Sequence, residues 1–286
     1  MDLGIGLPTS GRHADPETIV RVAQAAERAG LGAVWAFERL LRPAEAVFAG
    51  TDQAMPLPDN NAVVYDPLET LAYVAAKTST IRLGTSVVDA LFHSPVVLAK
   101  RLATLDRLSG GRAMIGLGQG WMQQEFDATR IPARRRGAGF EEHVAAMRAC
   151  WGPDPVRFDG RFYTIPESEI GPKPTRLTLL AGAAAPAAIE RAARSGMGLT
   201  VVVFAWDQLR QAVELYGEGP GPLVAQVNGA ITDRPLDERM PLTGSVEQVA
   251  EDLAEVRAMG VDHVFWHTFE GDADETVERV GRLNTQ

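Results

Sequence analysis

The sequence predicts a single domain over residues 1–286 with the (β/α)8 TIM-barrel fold, and three observations lead to that fold class. Residues 81–121 hold a β-branched run, a helical segment ended by Ser-Gly-Gly, and an apolar run broken by glycines, which together make a strand–helix–strand unit. Strands joined in this way lie parallel, with a right-handed crossover. The same alternation recurs along the chain, and 286 residues suit one barrel of eight such units better than an open doubly wound sheet.

Each predicted strand is a short apolar run, and each predicted helix has apolar residues three or four positions apart, with a cap or a glycine at one end. Asp66 followed by Pro67, for example, marks the start of the second helix. The predicted strands cover residues 3–8, 33–38, 82–88, 113–118, 177–182, 198–204, 223–231 and 263–269. The predicted helices cover residues 15–29, 67–78, 95–108, 141–151 with a start near Arg135, 186–195, 207–216, 245–259 and 274–283.

Two segments do not fit the repeating unit. Residues 40–66 form a long stretch rich in Pro, Gly, Asp and Asn after the second strand, and its length is typical of a functional lid. Residues 156–165 carry an Asp-Gly turn between alternating segments, which predicts an inserted β-hairpin.

Composition narrows the function classes. The net charge of −9 argues against non-specific binding to nucleic acid or to an anionic membrane surface. No apolar stretch reaches the roughly 18 residues of a membrane span, and the first residues lack the features of a signal peptide, so we expect a cytoplasmic protein. The single cysteine, Cys150, rules out an intrachain disulfide and a CxxC pair, and its place at the end of an apolar helix predicts a core residue.

The histidines do not form a recognisable metal site. They show no HxH or HExxH spacing, and no GxSxG elbow is present, so we predict no metal centre and no serine triad. His263 and His267 share one face of the eighth strand, and His267 lies near its carboxyl end, where barrel enzymes keep their chemistry. His267 is therefore a candidate pocket residue, with a hydrogen-bonded core histidine as the alternative.

Two glycine-rich or alanine-rich stretches follow predicted strands. Residues 116–120 read GLGQG, which lacks the third glycine of a Rossmann fingerprint, and the next helix does not begin promptly, so we reject a dinucleotide site. Glycines here either let a flat ligand lie against the backbone or simply form a tight turn. Residues 181–186 read AGAAAP and precede a helix, which favours either an anion site at exposed amides or close packing of helix on strand.

These stretches belong to a larger and more specific pattern, GTSVVDALFHSPVVLAKRLATLDRLSGGRAMIGLGQGW, followed by FDGRFYTI, GPKP and AGAAAPAAIERAARSGMG. With this pattern, over nearly its whole length, the chain resembles the luciferase-like monooxygenase superfamily, and within it the oxidoreductases that use the deazaflavin coenzyme F420. The resemblance implies a flavin or deazaflavin ring in the carboxyl-terminal mouth of the barrel, a small-molecule substrate and a homodimer.

The resemblance also implies site residues. It places a bulge with a cis peptide at Ser86-Val87, at the end of the third strand, and the phosphate of the coenzyme on residues 182–184. Glu38 stands next to Arg39 where the deazaflavin enzymes often have Asp-His, and Trp121 replaces a glutamate found in some sugar-phosphate-oxidising relatives, which argues against that substrate. The candidate catalytic residues are Glu38, Trp121 and His267, and the candidate cofactor-binding residues are Glu38, Thr85, Ser86, Val87, Gly118, Gln119, Gly120, Ala181, Gly182, Ala183 and Ala184.

We therefore expect an F420-dependent oxidoreductase that transfers a hydride to or from an unidentified small organic substrate. An FMN-dependent monooxygenase of the same superfamily is the first alternative. A non-catalytic flavin-binding or structural barrel is the second, and the small residues at 181–185 argue against it because they leave the mouth open.

Overall fold

The computed structural model describes residues 1–267 and 272–284, apart from the side chain of His13. Eight parallel strands close into one barrel, which confirms the predicted fold class. Each strand pairs with its neighbours in chain order, and the last strand closes against the first. The barrel strands are β1 (Asp2–Gly6), β2 (Ala33–Ala36), β3 (Arg82–Asp89), β4 (Ala113–Gly118), β5 (Thr178–Gly182), β6 (Gly198–Val202), β7 (Leu223–Val227) and β8 (His263–Trp266).

Helices lie between the strands on the outside of the barrel. They are α1 (Pro16–Arg28), α2 (Pro67–Ala75), α3 (Pro95–Leu108), α4 (Gln123–Thr129), α5 (Ala138–Trp151), α6 (Pro186–Arg194), α7 (Trp206–Tyr216), α8 (Val246–Ala258) and α9 (Ala273–Asn284). Capping follows the sequence signals: Asp15 and Asp66 accept hydrogen bonds from the first turns of α1 and α2, and Ser245 forms a capping box at α8.

Several predicted boundaries were wrong. The strand predicted over residues 33–38 ends at Ala36, because its last partner on β3 is Thr85, where β3 bulges and the register shifts. The strands predicted to end at 204 and 231 stop at Val202 and Val227, and residues 268–269 of the predicted eighth strand lie outside the described residues. The sequence also missed α4, which has only seven residues and too few for a clear periodicity.

The two inserted segments have their own short strands. The hairpin predicted over residues 156–165 is confirmed as an antiparallel pair, Val156–Asp159 with Thr164–Ser168. The long segment after β2 holds a two-residue antiparallel pair, Ala46–Val47 with Ala54–Met55.

Apolar and aromatic side chains fill part of the barrel interior. The rings of Trp35 and Phe265 stack with centroids 4.5 Å apart, and Trp35 donates its indole N–H to His263 Nε2 at 2.9 Å. Gly84 makes room for this packing, since a Cβ there would lie 2.3 Å from the Trp35 ring. These side chains fill the interior beside the strands, so a ligand site belongs at the carboxyl-terminal mouth.

No helix within residues 1–267 and 272–284 has the length and apolar character needed to cross a membrane. Cys150 is buried and unpaired, as its position in the sequence predicted.

Candidate active site

The carboxyl end of β3 forms a bulge that faces the mouth of the barrel. The Ser86-Val87 peptide bond is cis, as the resemblance implied, and the register with β4 shifts between Thr85 and Val88. Thr85 is fully buried and donates its hydroxyl to the Gly116 carbonyl at 2.9 Å, whereas Ser86 and Val87 are partly exposed. The bulge therefore presents Ser86 and Val87, two of the predicted cofactor-binding residues, at an accessible surface.

Gly118 and Gly182 accommodate this bulge. A Cβ at Gly182 would lie 2.5 Å from Val87 Cγ1, and a Cβ at Gly118 would lie 2.5 Å from Val87 Cγ2 and 2.1 Å from Asp89 Oδ1. The space that the sequence reserves at these two glycines is thus occupied by side chains of β3. Direct contact of these glycines with a ligand stays a prediction.

Ser86 belongs to a polar network across three strands. Its hydroxyl donates to Gln226 Oε1 at 2.7 Å and lies 3.2 Å from Thr200 Oγ1, and Gln226 Nε2 donates to Asn228 Oδ1 at 2.8 Å. Neither Thr200 nor Gln226 is among the site residues predicted from the sequence. The signal was available, because each is a polar residue inside an otherwise apolar barrel strand.

Glu38 is buried at the start of the segment that follows β2, and both of its oxygens are bonded. Oε1 lies 2.7 Å from His93 Nε2, and Oε2 accepts the Asp89 backbone N–H at 2.7 Å. His93 lies in the segment between β3 and α3, and its role at the site was missed because nothing in the local pattern connects it to Glu38, 55 residues away. The two side chains form a carboxylate–imidazole pair suited to holding or moving a proton.

Arg39, which is partly exposed, and Glu125, which is buried, form a second pair beside the first. Arg39 Nη1 lies 2.7 Å from Glu125 Oε2, and the other Glu125 oxygen accepts the Leu40 N–H at 2.9 Å. The Arg39 guanidinium also lies 5.2 Å from the centroid of the Trp121 ring. Burial raises the pKa of Glu125, with Arg39 acting in the opposite direction.

Asp89 completes this group of charges. It is buried, and its Oδ1 accepts the Gly120 N–H at 2.9 Å. Burial, followed by repulsion from Glu38 and Glu125, raises the pKa of Asp89 to about 7. A perturbed carboxyl group at the mouth of a barrel is typical of a functional site.

Trp121 forms a wall at the same edge together with the long segment after β2. The Trp121 and Phe48 rings are 5.0 Å apart, and the Trp121 carbonyl accepts the Ala49 N–H at 2.7 Å. Gln124 accepts the Val47 N–H at 3.2 Å, so the segment is fastened to α4 as well as to Trp121. Residues 46–49 therefore cover the α4 side of the site.

Gln119, another predicted cofactor-binding residue, accepts the Gly137 N–H on its Oε1 at 2.7 Å. Its oxygen fastens the segment before α5 to the end of β4. Gly120, the next residue, adopts φ +75, and a Cβ there would lie 2.7 Å from the Phe92 ring. Glycine is therefore required at residue 120 by both conformation and packing.

His267, the third candidate catalytic residue, follows β8 and is 5% exposed. Its ring contacts the Phe37 ring edge-on at 5.1 Å, and burial lowers the pKa of the imidazole to about 4. At neutral pH the ring is therefore uncharged. It lies close to Gly6, where a Cβ would come within 2.1 Å of His267 Nδ1.

The anion site is predicted at the turn between β5 and α6. Ala181 is buried within β5, and the Ala183 N–H is bonded to the Thr200 carbonyl at 3.2 Å, whereas Ala184 and Ala185 are exposed. Ala185 stands at the N-cap and supplies no side-chain acceptor to the first turn of α6. An uncapped helix start of this kind favours an anionic group.

Metal chemistry has no candidate ligand set in the part of the chain that the structure describes, since no group of three or more His, Cys, Asp or Glu is arranged to hold an ion. The mouth instead combines an apolar bulge, a hydroxyl–amide network, a carboxylate–imidazole pair and an exposed helix start.

Comparisons with known proteins identify a family model and several relatives that match this chain. A family model described as luciferase-like monooxygenase matches residues 1–220. An uncharacterised protein of Mycobacterium tuberculosis is 32% identical over 289 residues, covering 99% of this chain and 97% of that protein. The F420-dependent glucose-6-phosphate dehydrogenase of Kineococcus radiotolerans is 30% identical over 200 residues, covering 68% of this chain and 55% of that protein.

A solved structure of similar fold is the monooxygenase RslO1 from Streptomyces bottropensis, with a TM-score of 0.80 and 22% identity, covering 99% of this chain and 98% of that one. At this identity the likeness concerns the fold. Together with the family model and the relative that matches along its whole length, it leads to one conclusion: the chain belongs to the luciferase-like monooxygenase family and is an oxidoreductase or monooxygenase built on that family's barrel.

Proposed function

We propose that this protein is an F420-dependent oxidoreductase that transfers a hydride between the deazaflavin ring and a small organic substrate. The observation that carries the proposal is the pair formed by buried Glu38 and partly exposed His93, 2.7 Å apart, at the same end of the barrel as the bulge at Ser86 and Val87. Oxidation of an alcohol, or the reverse reduction, moves a proton as well as a hydride, and a carboxylate–imidazole pair can hold that proton. The similarity to F420-dependent glucose-6-phosphate dehydrogenases supports the same assignment.

The residues present fit a cofactor with a flat ring and an anionic arm. Val87 offers partly exposed apolar surface, and Ser86 offers a hydroxyl next to the Gln226 amide. The uncapped start of α6, with Ala184 exposed, suits a phosphate. A bound deazaflavin supplies the hydride-accepting or hydride-donating carbon of the reaction.

The other residues at the mouth would orient the substrate and limit water. Trp121 and Phe48 form an aromatic wall, and Arg39 is held against Trp121 by Glu125. The backbone N–H groups of residues 47 and 49 donate to Gln124 and Trp121, and these bonds hold Phe48 against Trp121. Trp121 argues against glucose 6-phosphate as the substrate, because it stands where some sugar-phosphate-oxidising relatives have a glutamate.

Anaerobic fluorescence titration of the purified protein with F420 and, separately, with FMN tests the proposal. We expect saturable F420 binding that is tighter than FMN binding. The variant Ala184→Asp, which places a negative charge beside the proposed phosphate site, should weaken F420 binding about tenfold, which corresponds to about 1.4 kcal/mol. The matched control Ala184→Asn has nearly the same size without the charge and should bind F420 as the wild type does.

Tight binding of FMN without binding of F420 would refute this assignment and favour the second candidate, an FMN-dependent monooxygenase. Similarity in fold to the monooxygenase RslO1 along 99% of this chain is the observation that favours this second candidate. It predicts that the protein consumes oxygen when given reduced FMN and a substrate. A non-catalytic barrel is the weakest alternative, since it leaves the buried charged residues at the mouth without a role despite their desolvation cost.

The homodimer implied by the resemblance also stays a proposal. Apolar side chains on the outer surfaces of α2 and α3 support it, since Tyr73 is 46%, Val97 is 54% and Leu108 is 65% exposed. Light scattering should give the mass of two chains for the wild type, and Val97→Glu with Leu108→Glu should give the mass of one. A single-chain mass for the wild type would overturn this proposal.

We further propose a cytoplasmic location. The net charge of −9, which disfavours an anionic membrane surface, supports it. Fractionation of cells that produce the protein, followed by immunoblotting, tests the location.

A further inference from the structure

Three buried carboxyl groups and two cationic or potentially cationic side chains meet at the mouth of the barrel. The carboxyl groups are Glu38, Asp89 and Glu125, and each is at most 6% exposed. Glu38 lies 2.7 Å from His93, and Glu125 lies 2.7 Å from Arg39. Two of the three carboxyl groups therefore have a bonded partner of opposite or potentially opposite charge.

Asp89 is the carboxyl group left over. Within residues 1–267 and 272–284, the hydrogen-bond donor to its side chain is the Gly120 N–H, 2.9 Å from Oδ1, and no Lys, Arg or His lies within ion-pair distance. The charged groups that face it come from each neighbouring element: Glu38 and Arg39 after β2, and Glu125 from α4. His93 completes the set through its contact with Glu38.

A buried carboxylate without a cationic partner is costly when ionised, so the arrangement favours a proton on Asp89. Oδ1 can keep its bond from Gly120 in either protonation state, because it accepts that bond as a carbonyl or as a carboxylate oxygen. The raised pKa of Asp89, about 7, agrees with this count of charges.

We propose that Asp89 is a second proton-exchanging group of the mouth, beside the Glu38–His93 pair, and that it takes up a proton when an anionic flavin-type cofactor binds. Asp89 follows the bulge directly and holds the Gly120 amide, so its side chain links β3 to the end of β4 beside the proposed cofactor site. An added negative charge in that site disfavours ionised Asp89 and draws in a proton. This inference rests on the proposed function, because it requires that the mouth binds such a cofactor.

Isothermal titration calorimetry with F420 and with FMN, in two buffers of different ionisation enthalpy at pH 7.5, measures proton uptake on binding. If the bound charge raises the pKa of Asp89 by about one unit, wild-type protein should take up about half a proton more per cofactor than Asp89→Asn. Comparison with the variant removes any proton exchange by the cofactor itself. Equal uptake by the two proteins overturns the inference.

Asp252→Asn is the matched control. Asp252, on α8, is equally buried, but it is bonded to Arg239 and to the Leu242 N–H and is not among the charged groups that face Asp89. Its variant should take up protons on cofactor binding as the wild type does. Loss of the uptake in this control would show that a general change in folding causes the effect, and would overturn the assignment to Asp89.

Infrared difference spectra of the cofactor-free protein give a second measurement that needs no binding. The carbonyl band of a protonated carboxyl group should appear as the pH falls from 8 to 6 in wild-type protein and be missing from Asp89→Asn. If neither cofactor binds, the proposed function fails, whereas the infrared band still decides whether Asp89 exchanges a proton. Absence of the band in wild-type protein overturns the inference even if the cofactors bind.

Discussion

Buried histidines should make the stability of this protein fall when the pH is lowered from 7.5 to 5.0. His143, His263 and His267 are each at most 5% exposed. Burial lowers their pKa values from 6.5 to about 4, about 3 and about 4, respectively. Below pH 6.5 these histidines are protonated in the unfolded chain but stay neutral in the folded protein. Each one therefore lowers the free energy of unfolding as the pH falls from 6.5 towards the pKa of that histidine in the folded protein.

The size of the effect follows from these values. At pH 5.0 each histidine removes about 2 kcal/mol from the free energy of unfolding, or about 6 kcal/mol for the three. Asp89 acts in the opposite direction, because its pKa is raised from 3.8 to about 7 in the folded protein. As the pH falls, Asp89 takes up its proton in the folded protein before it does so in the unfolded chain. This adds about 2.5 kcal/mol to the free energy of unfolding between pH 7.5 and 5.0. The net contribution of these four groups is then a loss of about 3.5 kcal/mol.

Urea unfolding followed by circular dichroism at pH 7.5 and 5.0 measures this loss. The variant Asp89→Asn should lose about 2.5 kcal/mol more than the wild type between the two pH values, because the restoring contribution of the carboxyl group is gone. A wild-type free energy of unfolding that is the same at both pH values would refute the reasoning about the histidines. An equal loss in the two proteins would refute the reasoning about Asp89.

Three further predictions concern single positions. Gly182→Ala should destabilise the protein by about 1–3 kcal/mol, because the added Cβ would lie 2.5 Å from Val87 Cγ1. The control is Gly281→Ala in α9, where the nearest atom to the added Cβ is 3.4 Å away, and it should be neutral or stabilising by up to about 1 kcal/mol. Urea unfolding compares the two variants, and a larger cost at Gly281 would contradict the packing argument. Arg130→Gly should stabilise by up to about 1 kcal/mol, because Arg130 ends α4 at φ 57, and a lower thermal midpoint would count against this reading of the turn. Ser245→Ala should cost about 1 kcal/mol by removing the capping box of α8, with Ser245→Asp expected to retain most of the stability in the same thermal assay.

Local patterns in the sequence were sufficient for the architecture. The period of apolar residues and the Pro, Asp and Gly signals at helix ends predicted eight strand–helix units, and the closed barrel confirms them. Strand ends were less predictable, because they depend on the neighbour: β2 stops where β3 bulges at Thr85. The short helix α4, which carries Glu125, left no periodic signal of its own.

The candidate site divides in the same way. The sequence alone placed Glu38, Ser86, Gly118 and Gly182 at strand ends, since the carboxyl ends of parallel strands gather at one mouth. The partners of the site residues could not be predicted from the sequence. Ser86 forms a hydrogen bond with Gln226, 140 residues away, and Arg39 forms an ion pair with Glu125, 86 residues away.

Tertiary structure alone decided which charges are paired and which is not. Hydrophobic periodicity identifies each strand and helix separately. The order of these elements predicted the barrel, and the strand ends predicted the location of its mouth. Closure of the barrel then set His93 against Glu38 and Glu125 against Arg39, and among the residues that the structure describes it left Asp89 without a cation at ion-pair distance. Charge pairing depends on distances of a few ångströms between segments far apart in the chain, and those distances exist only after the strands have closed.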